Sequence, residues 1–393
     1  MYTLLIGLMS LAALLLVAPA AHAQQTIKIG LIMPYSGQFA DPSTQMDNAI
    51  KLYMKQKGDT VAGKKIEVIR KDSGGVAPDV AKRLAQELIV RDKVDILAGF
   101  VLTPNTLAAG DVSAEAKKFM VVMNAATAII TTKSPYMVRT SATVPQLTET
   151  FGTWARKSGI KQAYTMVSDF GPGHDAEQGF QRGFKDAGGE VVGSVRFPLA
   201  NPDFSAFVQR AKDVNPESIF IFVPGGVQPA AIGKAVAERG IDARKTKVLG
   251  MGELTEDEAR KSMGDASLGI ITVYHYDYNH DSALNRDFVK AFNAEYAGRN
   301  PNIYSIGGWD GMHLIYETLK KTGGATDSDA LIAAAKGQKW ESPRGPVAID
   351  PETRDIVQTV YIRRVEKVGG QLLNVEFDRI ENVKDPFKAR MKK

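Results

Sequence analysis

Residues 96–132 read ILAGFVLTPNTLAAGDVSAEAKKFMVVMNAATAIITT, and within them two apolar runs each break into small hydroxyl-bearing residues. The first run, Ile96 to Leu102, has the length of a buried strand; Thr103-Pro104-Asn105-Thr106 follows, then Leu107 to Lys117 with helical spacing. Thr103 suits the cap of that helix, with Pro104 at its first position. The second run, Lys118 to Met123, repeats the pattern and breaks at Asn124-Ala125-Ala126-Thr127. An open α/β sheet binds ligands in the crevice outside the carboxyl ends of its strands, so two such breaks side by side build a small-molecule site. A helix start presents unpaired N–H groups and positive dipole character, which suits a carboxylate without needing an arginine. One threonine at a helix start is only a cap; its repetition at Thr127 makes the pair a candidate site.

Working outward, strands and helices alternate from Ile27 to about Val273, which predicts parallel sheets with helices on both faces. One series holds strands at Ile27–Met33, Lys65–Lys71, Ile96–Leu102 and Lys118–Met123, with helices at Asp47–Gln56 and Pro78–Arg91. A second series begins after a break at Arg139–Pro145. It has strands at Gln162–Ser168, Glu190–Phe197, Ser218–Val223 and Lys247–Leu249, and helices at Pro145–Lys157, Ala176–Ala187, Phe204–Lys212 and Pro229–Arg239. Two like-built lobes are expected rather than one very large sheet. Helical runs at Asp281–Tyr296, Gly308–Thr322 and Asp327–Lys336 can return to the first lobe. Short strands at Gly345–Ile349, Gln358–Glu366 and Leu372–Phe377, with Gly369-Gly370 as a hairpin turn, follow them. Returns of this kind join the lobes by several crossovers, which is hinge architecture.

The chain begins with an apolar run, Leu4 to Val17, followed by Pro19 and by Ala21-His22-Ala23, an A-x-A cleavage pattern, although Met1-Tyr2-Thr3 carries no Lys or Arg. Cleavage after Ala23 and export are expected; an uncleaved anchor is the weaker alternative, because the run is short for a span. Gln24 is not a cysteine, so no lipid anchor is indicated there. The mature chain is too long for one core, and with no cysteine in the sequence it can have neither disulfides nor Cys-ligated metals. Its formal charge of +5 is spread among interleaved acids and bases, so nucleic acid is not an expected partner, and the basic stretch Lys384–Lys393 reads as a tail.

Several motifs are false friends. Gly171-Pro172-Gly173-His174-Asp175-Ala176 fits G-x-G-x-x-A between a strand and a helix, yet no acid ends the following strand, since Glu190 opens it. No nucleotide cofactor is predicted, and the loop reads instead as a ligand-facing wall and helix start. His275 and His280 are five apart, which matches neither a helix face nor one side of a strand, so no metal is expected. Tyr274, Tyr276 and Tyr278 alternate, and on an extended segment they would share one face along the cleft. There is no G-x-S-x-G elbow, Ser158-Gly159-Ile160-Lys161 sits at a helix end, and Glu256-Asp257-Glu258 reads as the acidic first turn of a helix. No enzyme is predicted. Glu253, after Gly250-Met251-Gly252, is placed to project into the crevice and pair with a ligand ammonium; an exposed loop glutamate is the alternative.

The blocks IGLIMPYSGQFA, AGFVLTPNT, MNAATAIITT, YTMVSDFGPGHDAEQGFQRGFKDAGGEVV, MGDASLGIITVYHY and ESPRGPVAIDP, in that order, resemble the periplasmic substrate-binding proteins of branched-chain amino-acid ABC transporters. The resemblance implies an α/β fold of two Rossmann-like lobes joined by three hinge crossovers, the type I periplasmic binding protein. It implies a leader at 1–23, a first lobe of 24–144 plus 276–354, and a second of 145–275 plus 355–393. It assigns the ligand carboxylate to Thr103, Ala125 and Thr127 and the amino group to Glu253, and Asn105 is expected among the ligand-binding residues. Phe170, Val227, Gln228 and Tyr274 would close from the second lobe. The chain departs from the amino-acid binders at Pro172 and at Pro42-Ser43, where they carry aromatics; relatives with such changes include binders of aromatic acids, for which Phe100, Phe170 and Tyr274 offer stacking surface. The expected protein is a monomeric, periplasmic receptor without cofactor that delivers a hydrophobic amino acid to a membrane permease. Aromatic carboxylates of the benzoate or cinnamate type are the alternative ligands, and a sensory ligand-binding module is the alternative role.

Overall fold

The computed structural model describes residues 25–391, so the expected leader and cleavage point lie outside the described residues. The first series builds β1 (Thr26–Met33), α1 (Ala40–Lys57), β2 (Thr60–Val61), β3 (Lys64–Asp72), α2 (Pro78–Val90), β4 (Ile96–Gly99), α3 (Thr103–Glu115), β5 (Met120–Val122) and β6 (Met137–Arg139). Their sheet runs β2-β3-β1-β4-β5-β6 and is parallel apart from the β2–β3 hairpin. Every residue of β4 and β5 is buried, because helices cover both faces.

The second series supplies α4 (Val144–Lys157), β7 (Gln162–Ser168), α5 (Gly171–Asp186), β8 (Glu190–Phe197), α6 (Phe204–Val214), β9 (Ser218–Phe222), α7 (Gln228–Glu238), β10 (Lys247–Met251), α8 (Asp257–Met263) and β11 (Ile271–Tyr274). Its strands pair in parallel in the order β8-β7-β9-β10-β11. The chain then forms α9 (Ala283–Glu295), α10 (Ile303–Lys321) and α11 (Ser328–Ala335), and afterwards β12 (Lys339–Ser342), β13 (Gly345–Ile349), β14 (Ile356–Val368), β15 (Gln371–Val383) and α12 (Pro386–Met391). α10 packs on α1, with Tyr53 edge-on to Trp309 and Tyr316, so these helices return to the first lobe. β14 lies antiparallel beside β11, and β15 folds back on it through Gly369-Gly370, both at positive φ. The chain passes from the first lobe to the second between β6 and α4, returns between β11 and α9, and passes again between α11 and β14.

Several boundaries differ from the sequence expectation for identifiable reasons. α10 starts at Ile303 rather than Gly308, because Asn302 accepts from the amides of Tyr304 and Ser305 and caps the helix. Gly307 and Gly308 lie inside it, where a Cβ would overlap the carbonyls of Met123 and Met46; they let α10 lie flat on the first lobe. β13 pairs with the start of β14, Ile349 opposite Ile356, so the β12–β13 ribbon continues the second sheet, whereas the expected bounds place Gly345–Ile349 with the first lobe. The basic C-terminus docks rather than trailing as a tail: Lys388 is buried in contact with Asp355, and Lys384 and Arg390 pair with Asp350 and Glu149 at 3.0 and 2.8 Å.

Candidate functional site between the lobes

Thr103 and Thr127 come together as their repetition suggests. Their hydroxyl oxygens are 2.9 Å apart, and both residues are buried at the carboxyl ends of β4 and β5. Thr103 is the first residue of α3 rather than its cap; Leu102 takes the cap position without a side-chain bond, and Pro104 follows at the second position. This correction favours binding, because Thr103's hydroxyl is spent on Thr127 and not on the helix. Two hydroxyls sharing one hydrogen bond keep one O–H to donate, beside the unpaired amides of the first helical turn.

The second lobe closes this end with the start of α5. A Cβ on Gly171 would stand 3.4 Å from the Thr127 hydroxyl and 3.8 Å from the Thr103 methyl, so the backbone of Gly171-Pro172-Gly173 lies against the pair. Two helix N-termini, one per lobe, therefore converge where a carboxylate would sit. Asp175 on α5 reaches across to accept from the amide of Ala128 at 2.8 Å, which fastens the lobes beside the site. The glycine motif that mimics a nucleotide fingerprint is thus the closing edge of the cleft.

Behind the pair lies Arg139, fully buried. Its Nη1 donates to the carbonyls of Ala125 and Thr127 at 3.1 and 2.8 Å, while Nε and Nη2 hold Asp355 at 3.0 and 2.7 Å. Lys388 of α12 holds the other Asp355 oxygen. The positive charge that the sequence reading leaves out of the site is present one layer back, acting through two peptide groups.

A narrow cavity of about 60 Å³ extends from Thr103, Asn124 and Ala126 between Phe39, Val101, Phe170, Phe222 and Met251 to Glu253 and Tyr304. Phe170 stacks on Phe222 with ring centroids 6.2 Å apart. Glu253 sits in a tight buried turn after β10, not in an exposed loop: Gly252 is required there because a side chain would strike Tyr274 and Arg363. Its Oε2 has no hydrogen-bond partner, and burial raises its pKa to about 7. Arg363 does not neutralise it, being paired with Asp277 at 2.8 Å.

This titration has a measurable consequence. The unfolded carboxyl ionises near its ordinary value, so between pH 4.5 and 7 the folded protein holds a proton that the unfolded chain has lost, and stability falls as pH rises through that window. Glu253→Gln should therefore be nearly neutral at pH 5 and stabilising at pH 8, by up to about 3 kcal/mol on the linkage relation. Melting temperatures of both proteins across this range check it; a difference that does not change with pH refutes it.

Not every predicted residue faces the cleft. Asn105 turns away and braces the neighbouring loop, accepting from Ala77 N at 2.9 Å and donating to Ser73 Oγ and Gly75 O. Ala125 is buried, with its amide bonded to Phe100 O and its carbonyl to Arg139; Asn124 and Ala126 line the cavity instead. Gln228 is tied to Leu199 O and Ser168, whereas its neighbour Val227 lies exposed at the rim. Phe100 points into the core beneath the site. The chain leaves β11 at Tyr274, so the three tyrosines share no face: Tyr274 backs Glu253, Tyr276 bonds Asn285 at 2.9 Å, and Tyr278 lines the cleft mouth beside Arg260. His275 is buried between these elements, and His280 bonds Glu376 at 2.9 Å. Phe222, Met251 and Tyr304 were not anticipated. Phe222 ends β9 and Met251 ends β10, positions that the carboxyl-end rule points to; Tyr304 follows the Asn302 cap on the returning helix and carries no local signal.

Among the described residues, no helix is long and apolar enough to cross a membrane. A periplasmic binding protein family model matches residues 26–371. A protein of Brucella melitensis named Leu/Ile/Val-binding protein homolog 6 is 41% identical over 385 residues, 97% of this chain and 98% of that one. A solute-binding protein of an ABC transporter from Rhodopseudomonas palustris, solved with 3,4-dihydroxybenzoic acid, is 54% identical with a TM-score of 0.89, covering 92% of this chain and 99% of that one. Another from the same species, solved with p-hydroxybenzoic acid, is 41% identical with a TM-score of 0.89 over 93% of this chain and all of that one. With two α/β lobes, three crossovers and a cleft between them, this chain belongs to the periplasmic binding protein family, in its type I form, and is a solute-binding protein of an ABC transporter.

Proposed function

We propose that the protein captures an aromatic carboxylate in the interlobe cleft and presents it to the permease of an ABC importer. One observation carries the ligand class: the slot has hydroxyls and two helix starts at one end, phenylalanines along its walls and a single buried acid at the other. A flat ring would lie against Phe39 and the stacked Phe170–Phe222 pair, where ring contacts add to area burial. Pro172 lines the same slot at the position where amino-acid binders carry an aromatic, which leaves width for a ring. The similar solute-binding proteins solved with hydroxybenzoic acids support this reading. Glu253, held near neutrality by burial, suits a phenolic hydroxyl opposite the carboxylate better than it suits a permanent cation.

The hydrophobic amino acid remains as a second reading because the curated relative carries a Leu/Ile/Val-binding name and because Glu253 matches the acid that holds an ammonium. Ligand contacts from both lobes stabilise the closed form, and a permease distinguishes the loaded receptor through that form. Export through the leader ending at Ala23, a periplasmic location and a monomeric state complete the proposal. The test is a melting-temperature screen of the mature protein with 4-hydroxybenzoate, benzoate, phenylalanine and leucine, since a ligand at 100 times its Kd adds about 2.7 kcal/mol. Stabilisation by the aromatic acids and not by the amino acids is expected; the reverse order overturns the ligand class.

A further inference from the structure

Beyond Glu253 the cleft widens into an outer chamber of about 480 Å³, far larger than a single hydroxyl requires. Pro42, Gly225, Glu253 and Tyr304 line both spaces and form the passage between them. The lining changes character there, from phenylalanine and methionine to Gln45, Asn300, Asn302, Tyr278 and a set of carboxyl groups. Its wall is drawn in by Gly225 and Gly226, where a side chain would overlap the Tyr304 hydroxyl or approach the Gln38 carbonyl of the first lobe.

The carboxyl groups of the chamber divide into two kinds. Asp41 contacts Arg299, Asp257 is paired with Arg260 and accepts from Asn300 at 3.0 Å, and Glu258 pairs with Lys261 at 3.0 Å. Glu253 and Glu256 form no ion pair among the described residues. Burial raises the pKa of Glu256 to about 8, as it raises Glu253 to about 7, with Asp277 and Asp257 adding repulsion and Arg363 and Arg260 opposing it. Near neutral pH such carboxyls exchange hydrogen bonds with a neutral polar group instead of trapping a cation.

We infer that the outer chamber is a second subsite, which binds the distal, hydroxyl-bearing end of aromatic carboxylates longer than a single ring, with Glu256 as its reader. The inference rests on the reading that the inner slot takes the carboxylate. An acid with two extra carbons between ring and carboxylate carries its ring toward the Glu253–Tyr304 passage and its para hydroxyl into the chamber. Val227, exposed at the rim, offers a place to narrow the chamber without disturbing the core.

The experiment is calorimetric titration of the mature protein at pH 7 with 4-hydroxybenzoate, 3-phenylpropanoate and 3-(4-hydroxyphenyl)propanoate. The hydroxylated long acid should bind about tenfold more tightly than its unhydroxylated counterpart, the worth of one added hydrogen bond. Glu256→Ala and Val227→Trp should each weaken it by about that factor while leaving 4-hydroxybenzoate within about threefold. The inference is overturned if 4-hydroxybenzoate binds and the long acids do not, if their hydroxyl confers no advantage, or if the variants weaken short and long acids alike. Should Glu256→Ala fail to fold, Val227→Trp decides alone. Failure of every aromatic acid to bind overturns the underlying slot reading, and a heat of binding in a parallel titration with leucine identifies that outcome.

Discussion

Replacing Arg139 with Met should destabilise the protein by about 3–5 kcal/mol, because it leaves Asp355 buried with half of its compensation gone. It should also weaken 4-hydroxybenzoate binding by about tenfold or more, and the two effects have different physical origins. The stability loss arises from an uncompensated charge: Arg139 is fully buried and gives Asp355 two charge-assisted bonds, at 3.0 and 2.7 Å. The binding loss arises from the other side of the guanidinium. Nη1 fixes the carbonyls of Ala125 and Thr127, so the peptide planes of the 124–127 loop present Thr127 to the cleft and carry positive potential into it. Adding Asp355→Asn and Lys388→Met to the variant removes the stranded carboxylate together with the buried lysine that it holds. Chemical denaturation should then recover more than half of the lost stability, while titration still shows the weakened affinity. If affinity returns together with stability, Arg139 is only a structural ion pair and the role assigned to it is wrong.

The second large effect belongs to Thr127. Thr127→Val keeps shape and volume but removes the hydroxyl that meets Thr103 and faces the start of α5. A hydrogen bond to a charged group contributes about 1.5–3 kcal/mol, so affinity for a carboxylate should fall roughly 10- to 150-fold. Thr127→Ser should retain most of it. Thr103→Val should cost a similar amount, and the double variant less than the sum, because contacting residues share one interaction. Titration with 4-hydroxybenzoate reads all four. Wild-type affinity in Thr127→Val would remove the hydroxyl pair from the binding site altogether.

Both predictions concern groups whose legibility differs sharply. The threonine pair was readable because each threonine follows a strand of uninterrupted apolar residues, and position relative to a strand's carboxyl end is a local property. Phe170 and Glu253 were readable for the same reason, lying just after β7 and β10. Asn105 and Gln228 failed because polar residues at a helix start have two uses, and both here satisfy neighbouring loop groups; nothing in their spacing separates bracing from binding. Arg139 was invisible as a partner of the site because its acid, Asp355, is 216 residues away in sequence, and the lysine that completes the cluster lies beyond even that. The three tyrosines were misplaced because alternation has meaning only while a strand lasts, and the strand ends at Tyr274.

The amino-acid order alone determined the two α/β series, their parallel sheets, the returning helices and the hairpin at Gly369-Gly370. Those features follow from burial periodicity and turn chemistry within a few residues, and no distant contact is needed to specify them. Only the tertiary structure decided which side chains meet across the cleft. It set Tyr304 from the returning helix α10 beside Glu253, put Gly171 against Thr127, and buried Arg139 between the 124–127 loop and a C-terminal helix. These neighbours are brought together by crossovers that cost chain entropy and are fixed by packing of whole lobes, so their coincidence leaves no trace in any local stretch of sequence.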